Sequence, residues 1–301
     1  MIADGSEIVL HTAYGLANEA TGEKLTRSTP HRIASVTKGF TAVLALQAAE
    51  RREIDLDSPL LSYFPEVEAP ALAAITLRHL LNHTSGLVEF APALGEGETL
   101  GNALARGLKT AAVSAEPGAK FSYVNVGYTL VAHVLERATK KSYAELLQQR
   151  ILQPAGMTAT HLDHGESDRQ TRAAGYQIKD GAVVPEEEPD LARFLGAGNL
   201  VSTTEDLYRF SRALASDALL SPASRTLLKT PQLQRYAMGC AIMTPGSGET
   251  VQLFLGNMPG TSAVLARFND DQRTVIILSN RYNVPLNRLV PQLHRLLSAA
   301  P

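Results

Sequence analysis

Residues 263–278 read AVLARFNDDQRTVIIL, and this stretch decides the fold. Ala263–Phe268 is largely apolar, and Thr274–Leu278 is a β-branched run of the kind buried on both faces of a sheet. Asn269-Asp270-Asp271 between them is a turn signal, so two adjacent antiparallel strands are expected. Upstream, a second turn signal, Pro245-Gly246-Ser247-Gly248, extends this meander back to about Tyr236. Downstream, Pro285–Ser298 places Leu286, Leu289, Val290, Leu293, Leu296 and Leu297 on one stripe, an amphipathic helix able to cover a sheet. Pro291 inside that pattern predicts a delayed start or a kink. At the far end of the chain, Glu7–Tyr14 also reads as a strand.

The middle, from about Asp57 to Leu195, is different. Thr76–Asn82, Val126–Thr139 and Tyr143–Leu152 have helical spacing, separated by loops rich in Gly, Pro and Glu. Strands at both ends around a helical middle predict an α+β fold, an antiparallel β-sheet from both termini flanked by helices, with an inserted all-helical domain. The expected boundaries are 1–57 and 195–301 for the sheet domain and 58–194 for the insertion. No internal repeat is visible, and the acidic stretch Pro185–Asp190 reads as a solvated connection.

Composition narrows the function. The 301 residues carry 28 Lys+Arg and 30 Asp+Glu, a net charge of −2 with no basic cluster, which argues against nucleic-acid binding. One cysteine, Cys240, excludes an internal disulfide framework and a thiolate-only metal site. The longest apolar runs fall well short of the roughly 18 residues a membrane span needs. The N-terminus MIADGSEIVL has neither a basic n-region nor a long h-region, so a cytoplasmic location is expected. His161 and His164 have metal-ligand spacing without a third ligand nearby and read as a loop pair, as does the glycine-rich Gly95–Gly101, whose two acids would repel phosphate. No metal or organic cofactor is expected.

Two short motifs carry chemistry. Ser35-Val36-Thr37-Lys38 is an S-x-x-K, for which 19 serines and 8 lysines give about half a match by chance. It opens Val36–Arg51, where Val36, Phe40, Val43 and Leu44 recur with helical period. Ser35 therefore stands at a helix start with Lys38 one turn later on the same side. A serine hydroxyl needs a base, and a lysine serves if burial and the helix terminus lower its pKa. Set against this is a plain N-cap serine followed by a surface lysine. Tyr123-Val124-Asn125 is the only Y-x-N in the chain. Its phenol can shuttle a proton beside a lysine, and its amide can bond both the lysine and a substrate carbonyl; alternatively Asn125 is simply the cap of the following helix.

RIASVTKGFTAVLALQ, LLNHTSGL, FSYVNVGYTLVAHVLE, GAGNLVSTTEDLYRF and GNMPGTSA…VIILSNR together resemble, in order, serine hydrolases related to class C β-lactamases, a superfamily with DD-peptidases, family VIII carboxylesterases and D-amino-acid amidases. The resemblance covers nearly the whole chain and implies a β-lactamase/transpeptidase-like fold. It matches Ser35 to the nucleophile, Lys38 to its partner, Tyr123 to the general base and Asn125 to the third residue of the second motif. His83 matches a structural loop residue, and Gly196-Ala197-Gly198 a stretch where bare backbone approaches a ligand. It also implies an oxyanion hole from the backbone N–H groups of Ser35 and Asn257, beside Gly256.

Two departures stand out. The family's third motif begins with Lys or His, and Phe254-Leu255-Gly256 takes its place here. Phe254 is therefore expected to line the cleft and to favour esters or amides lacking the carboxylate that β-lactams and D-Ala peptides carry. The chain also starts almost at the Asp4-Gly5 turn, where the family has a helix and a full strand, implying a lost helix or a truncated N-terminus. The reading is a serine hydrolase acting on small esters through an acyl-enzyme. A D-specific peptidase or amidase, a β-lactamase and a non-catalytic binding protein using the same cleft are the rivals. The partner is a small-molecule ester or amide, with no nucleic acid or membrane, and the sequence is silent on oligomeric state.

Overall fold

The computed structural model describes residues 1–187, 190–244, 250–268 and 273–298. The strands that matter most are β1 (Ile2–Asp4), β2 (Glu7–Leu10), β3 (Ala241–Met243), β4 (Val251–Met258), β5 (Thr261–Phe268) and β6 (Thr274–Ser279). They form one antiparallel six-stranded sheet in the order β3-β4-β5-β6-β1-β2. Both termini thus build it, as the patterning predicts. The two turns that were to separate its strands, Pro245–Gly248 and Asn269–Asp271, lie outside the described residues, as does part of Pro185–Asp190. The N-terminal strand is shorter than expected. It ends at Leu10 and its four residues are exposed, because it is the sheet edge.

The central strand explains the apolar run. Along β5, Ala263 and Leu265 join one apolar cluster, while Val264, Ala266 and Phe268 join another on the opposite face. The second cluster is closed by Leu286 and Val290 of the C-terminal helix Leu286–Ser298, which runs through Pro291 without ending there. Leu289 is 37% exposed rather than part of the buried stripe, and the side chains of Leu296 and Leu297 lie outside the described residues.

The first cluster centres on helix α1 (Thr37–Glu50), buried from Thr37 to Ala48. A helix apolar all round belongs inside. Helix α3 (Asn125–Thr139) packs against α1, and α2 (Leu77–Leu81) packs against α3. Thr76 caps α2 in a reciprocal box with His79, and α3 buries Val126, Tyr128, Leu130, Val131, Val134 and Leu135. The predicted helix over Tyr143–Leu152 begins with a Ser142/Glu145 capping box but passes at Gln148–Leu152 into a wider π turn. The stretch 58–194 is not all-helical as expected: beyond Ala155 it adds short strands, among them the paired Tyr176–Lys179 and Ala182–Pro185. His161–Leu162 pairs with Leu200–Ser202, which pairs with His31–Arg32 just before Ser35.

Phe254 of β4 does not line a cleft, contrary to the sequence expectation. It is 0% exposed. Its ring covers Gly39 of α1, where a methyl group would stand 2.6 Å from Cε1, and meets Phe210 edge-on at 6.5 Å. Phe210 in turn stacks on Phe40 at 4.0 Å. The gap left by Gly39 is filled by the ring, so position 254 is a core position. Phe254→Ala is expected to lower unfolding stability by about 3–5 kcal/mol in urea titrations. A variant of unchanged stability with altered substrate preference would contradict this placement.

Candidate active site

Ser35 sits on a single 3-10 turn, Ala34–Val36, leading directly into α1. Ala34 before it adopts φ 45°, a left-handed conformation that costs an L-residue about 1–2 kcal/mol. The surroundings impose this conformation. Ile33 N–H donates to Leu200 O at 3.0 Å, and Arg32 pairs at 2.5 Å with Asp163, whose side chain is buried. Gly256 of β4 presses on the turn from the sheet side. A Cβ there would stand 2.1 Å from Ile33 O and 3.2 Å from Ala34 Cβ, so only glycine admits the contact.

Lys38 lies one turn on and is 0% exposed. Its Nζ donates to Ser35 Oγ at 3.0 Å, Asn125 Oδ1 at 2.8 Å and Ala197 O at 2.7 Å. A surface lysine after an N-cap serine is thus excluded. Burial pushes its pKa down to about 7, opposed by the nearby Glu89 carboxylate. Two of its contacts are to pure acceptors, which fixes two of its hydrogens. The third direction points at Ser35 Oγ, where Nζ can donate as an ammonium or accept as an amine. Gly196-Ala197-Gly198 therefore brings its bare backbone to Lys38. Gly196 is at φ +71°, where a Cβ would stand 2.7 Å from Ala132 Cβ, and its carbonyl accepts from Thr41 Oγ1 at 2.6 Å.

Tyr123 donates its hydroxyl to Ser35 Oγ at 2.9 Å, and Lys38 Nζ lies 4.9 Å from its ring centre. Burial of the phenol pushes its pKa up to about 12, and the residue, 43% exposed overall, lines the cleft. His83 packs on that ring at 4.2 Å and accepts from Val124 N–H through Nδ1 at 3.3 Å. Burial, with Lys38 nearby, holds its pKa well below the usual imidazole value. A neutral ring wedged behind Tyr123 is a structural part, as the sequence reading has it.

Asn125 is the first residue of α3, not its cap; Val124 holds the cap position without a side-chain bond. The capping is done by Glu89, whose carboxylate accepts from the N–H groups of both Asn125 and Val126. Sequence reasoning missed Glu89. It lies 36 residues upstream in a loop, and no local pattern links it to this helix.

In front of Ser35 is a cavity of about 310 Å³ lined by Ser35, Tyr123, Tyr236, Gly239, Cys240, Ala241, Leu253, Leu255 and Asn257. None of these residues carries a charge at neutral pH. The Asn257 side chain is engaged away from it, accepting from Ser262 Oγ at 2.9 Å and Asn283 N–H at 3.0 Å. Ser35, Lys38, Tyr123, Asn125, Gly256 and Asn257 are therefore brought together, and Phe254 is not. His161 and His164 lie elsewhere, with His161 against Asp168 at 3.2 Å, and the described residues hold no group of three or more candidate metal ligands. No helix among the described residues is long and apolar enough to cross a membrane.

Residues 1–298 match the family model described as Beta-lactamase. Penicillin-binding protein 4* of Bacillus subtilis (strain 168) is 29% identical over 307 residues, spanning 93% of this chain and 67% of the relative. Esterase EstB of Burkholderia gladioli is 26% identical over 287 residues, spanning 82% of this chain and 72% of the relative. Among solved structures, D-amino acid amidase from Ochrobactrum anthropi SV3 superposes with a TM-score of 0.86 over 99% of this chain and 92% of its own, at 24% identity, a likeness of fold. Fold, motif geometry and family match agree: the chain is a serine hydrolase belonging to the beta-lactamase family.

Proposed function

We propose that the protein is a carboxylesterase that transfers the acyl group of small uncharged esters to Ser35. The observation that carries the hydrolytic part is the buried Lys38, whose one free direction points at Ser35 Oγ. Lys38 in its amine form takes the Ser35 proton, and Oγ attacks the carbonyl carbon. The N–H groups of Ser35 and Asn257 hold the oxyanion. Tyr123, protonated at neutral pH because burial raises its pKa, gives its proton to the leaving alkoxide and is reprotonated from Lys38. Lys38 is thus the base and Tyr123 the relay, where the resemblance has Tyr123 as the general base. Water then releases the acyl group by the reverse path.

The ester preference follows from the cleft. Its lining carries no cation, and position 254, which the resemblance matches to the Lys or His of the family's third motif, is sealed in the core. A substrate carboxylate would find no partner on those walls and would lose its hydration. The similarity to esterase EstB supports this reading.

Two outcomes are expected. The protein should hydrolyse p-nitrophenyl butyrate faster than nitrocefin, and Ser35→Ala should remove both activities while remaining folded. Faster turnover of nitrocefin would sink the ester assignment. Because the amine is the active base, kcat/KM should rise with pH through about 7 as Lys38 loses its proton. The Glu89 carboxylate raises the Lys38 pKa, so Glu89→Gln should move that rise to lower pH and weaken the start of α3 by about 1 kcal/mol. A profile that does not move would leave Glu89 as a cap alone.

A further inference from the structure

A second cavity, of about 340 Å³, lies between β4 and β5, which contribute Gln252 and Arg267, and the stretches 211–215 and 225–229, and it is strongly basic. Arg212, Arg225, Lys229, Arg267 and Arg273 all line it, and no acidic residue does among the described residues. Two of the five have acidic partners outside the lining: Arg225 pairs with Asp217 at 2.8 Å and Arg273 with Asp4 at 3.3 Å. Arg212, Lys229 and Arg267 make no ion pair among the described residues.

Arg267 is the informative member. It projects from the central strand β5, and its guanidinium is held by neutral groups: Nε donates to Ser211 Oγ at 3.0 Å and Nη1 to Gln252 Oε1. Burial, together with the nearby Arg212, pushes its pKa down to about 10, so it remains a cation at neutral pH. A desolvated guanidinium is costly unless an anion faces it. Here Arg212, which lines the same cavity, adds a second positive charge. The Arg267 fork is fixed by Ser211 and Gln252, Ser211 being held by Thr274 at 3.0 Å, which is the preorganisation that oxyanion recognition needs.

We propose that this cavity is a second binding site, taking a phosphate-type oxyanion, either free phosphate or the phosphate group of a small ester. Arg267 and Arg212 contact the anion directly, with Lys229 supplying charge at the rim. The site backs onto the active-site cleft. Gln252, which accepts from Arg267, donates through Nε2 to Cys240 Sγ at 3.8 Å, and Cys240 lines the cleft.

The test is isothermal titration calorimetry of the full chain with inorganic phosphate and with phenyl phosphate, at fixed ionic strength. Saturable one-site binding is expected. The Arg212→Gln/Lys229→Gln double variant should weaken it by about tenfold or more, the scale of one charge-assisted hydrogen bond, and Arg267→Met should abolish it. Melting curves check that each variant is folded; because Arg212 and Lys229 are exposed, the double variant decides if Arg267→Met does not fold. Tighter binding of phenyl phosphate assigns the site to phosphate esters, and equal binding to free phosphate. No saturable heat with either probe, or an unchanged affinity in the double variant, overturns the proposal.

Discussion

The structure depends on one buried amino group. Lys38 Nζ is withdrawn wholly from water and is tolerated there because Asn125 Oδ1 and Ala197 O accept two of its hydrogens. An isolated ammonium in that position would cost far more than a domain's net stability. Burial, opposed by the Glu89 carboxylate, instead lowers the pKa to about 7, where the amine and ammonium forms are close in energy. The same arrangement leaves a single direction open, toward Ser35.

Each partner of Lys38 comes from a different part of the chain, so the surrounding architecture serves to converge them. The start of α3 supplies Asn125 and is fixed by Glu89. The Gly196–Gly198 loop supplies the Ala197 carbonyl, with Asn199 Oδ1 accepting from Gly196 N–H at 3.1 Å. The strained Ala34 turn supplies Ser35 and is clamped between the Arg32–Asp163 pair and Gly256. Strain of this kind persists only where neighbours over-determine it. Tyr123 is held from behind by His83, whose own backbone is left-handed at φ 56°.

Much of this was legible in the sequence. The apolar periods of 263–278 and 36–51 set the sheet and its central helix, because burial on both faces leaves few polar positions within the strands and the helix. S-x-x-K set Ser35 and Lys38, because residues three apart on a helical stretch share a face, and Y-x-N set Tyr123 and Asn125 at the start of α3. What was not legible came from contacts distant in sequence. Phe254 reads as a cleft residue by motif alignment, and only the space left by Gly39 turns it into core. Glu89 reads as an ordinary loop acid. The five basic residues of the second cavity are spread from 212 to 273 and form no cluster along the chain; the sheet and its flanking helices gather them.

The central claim, that burial holds Lys38 at the edge of ionisation, can be measured directly. Lysine labelled with ¹³C at Cε can be followed by NMR across a pH titration, with Lys38→Met identifying the signal. The account predicts one lysine titrating near pH 7, apart from the others near their ordinary value of about 10.4. If the Lys38 signal instead titrates with the rest, the amine is not the base, and the proton path from Ser35 must run through Tyr123 alone.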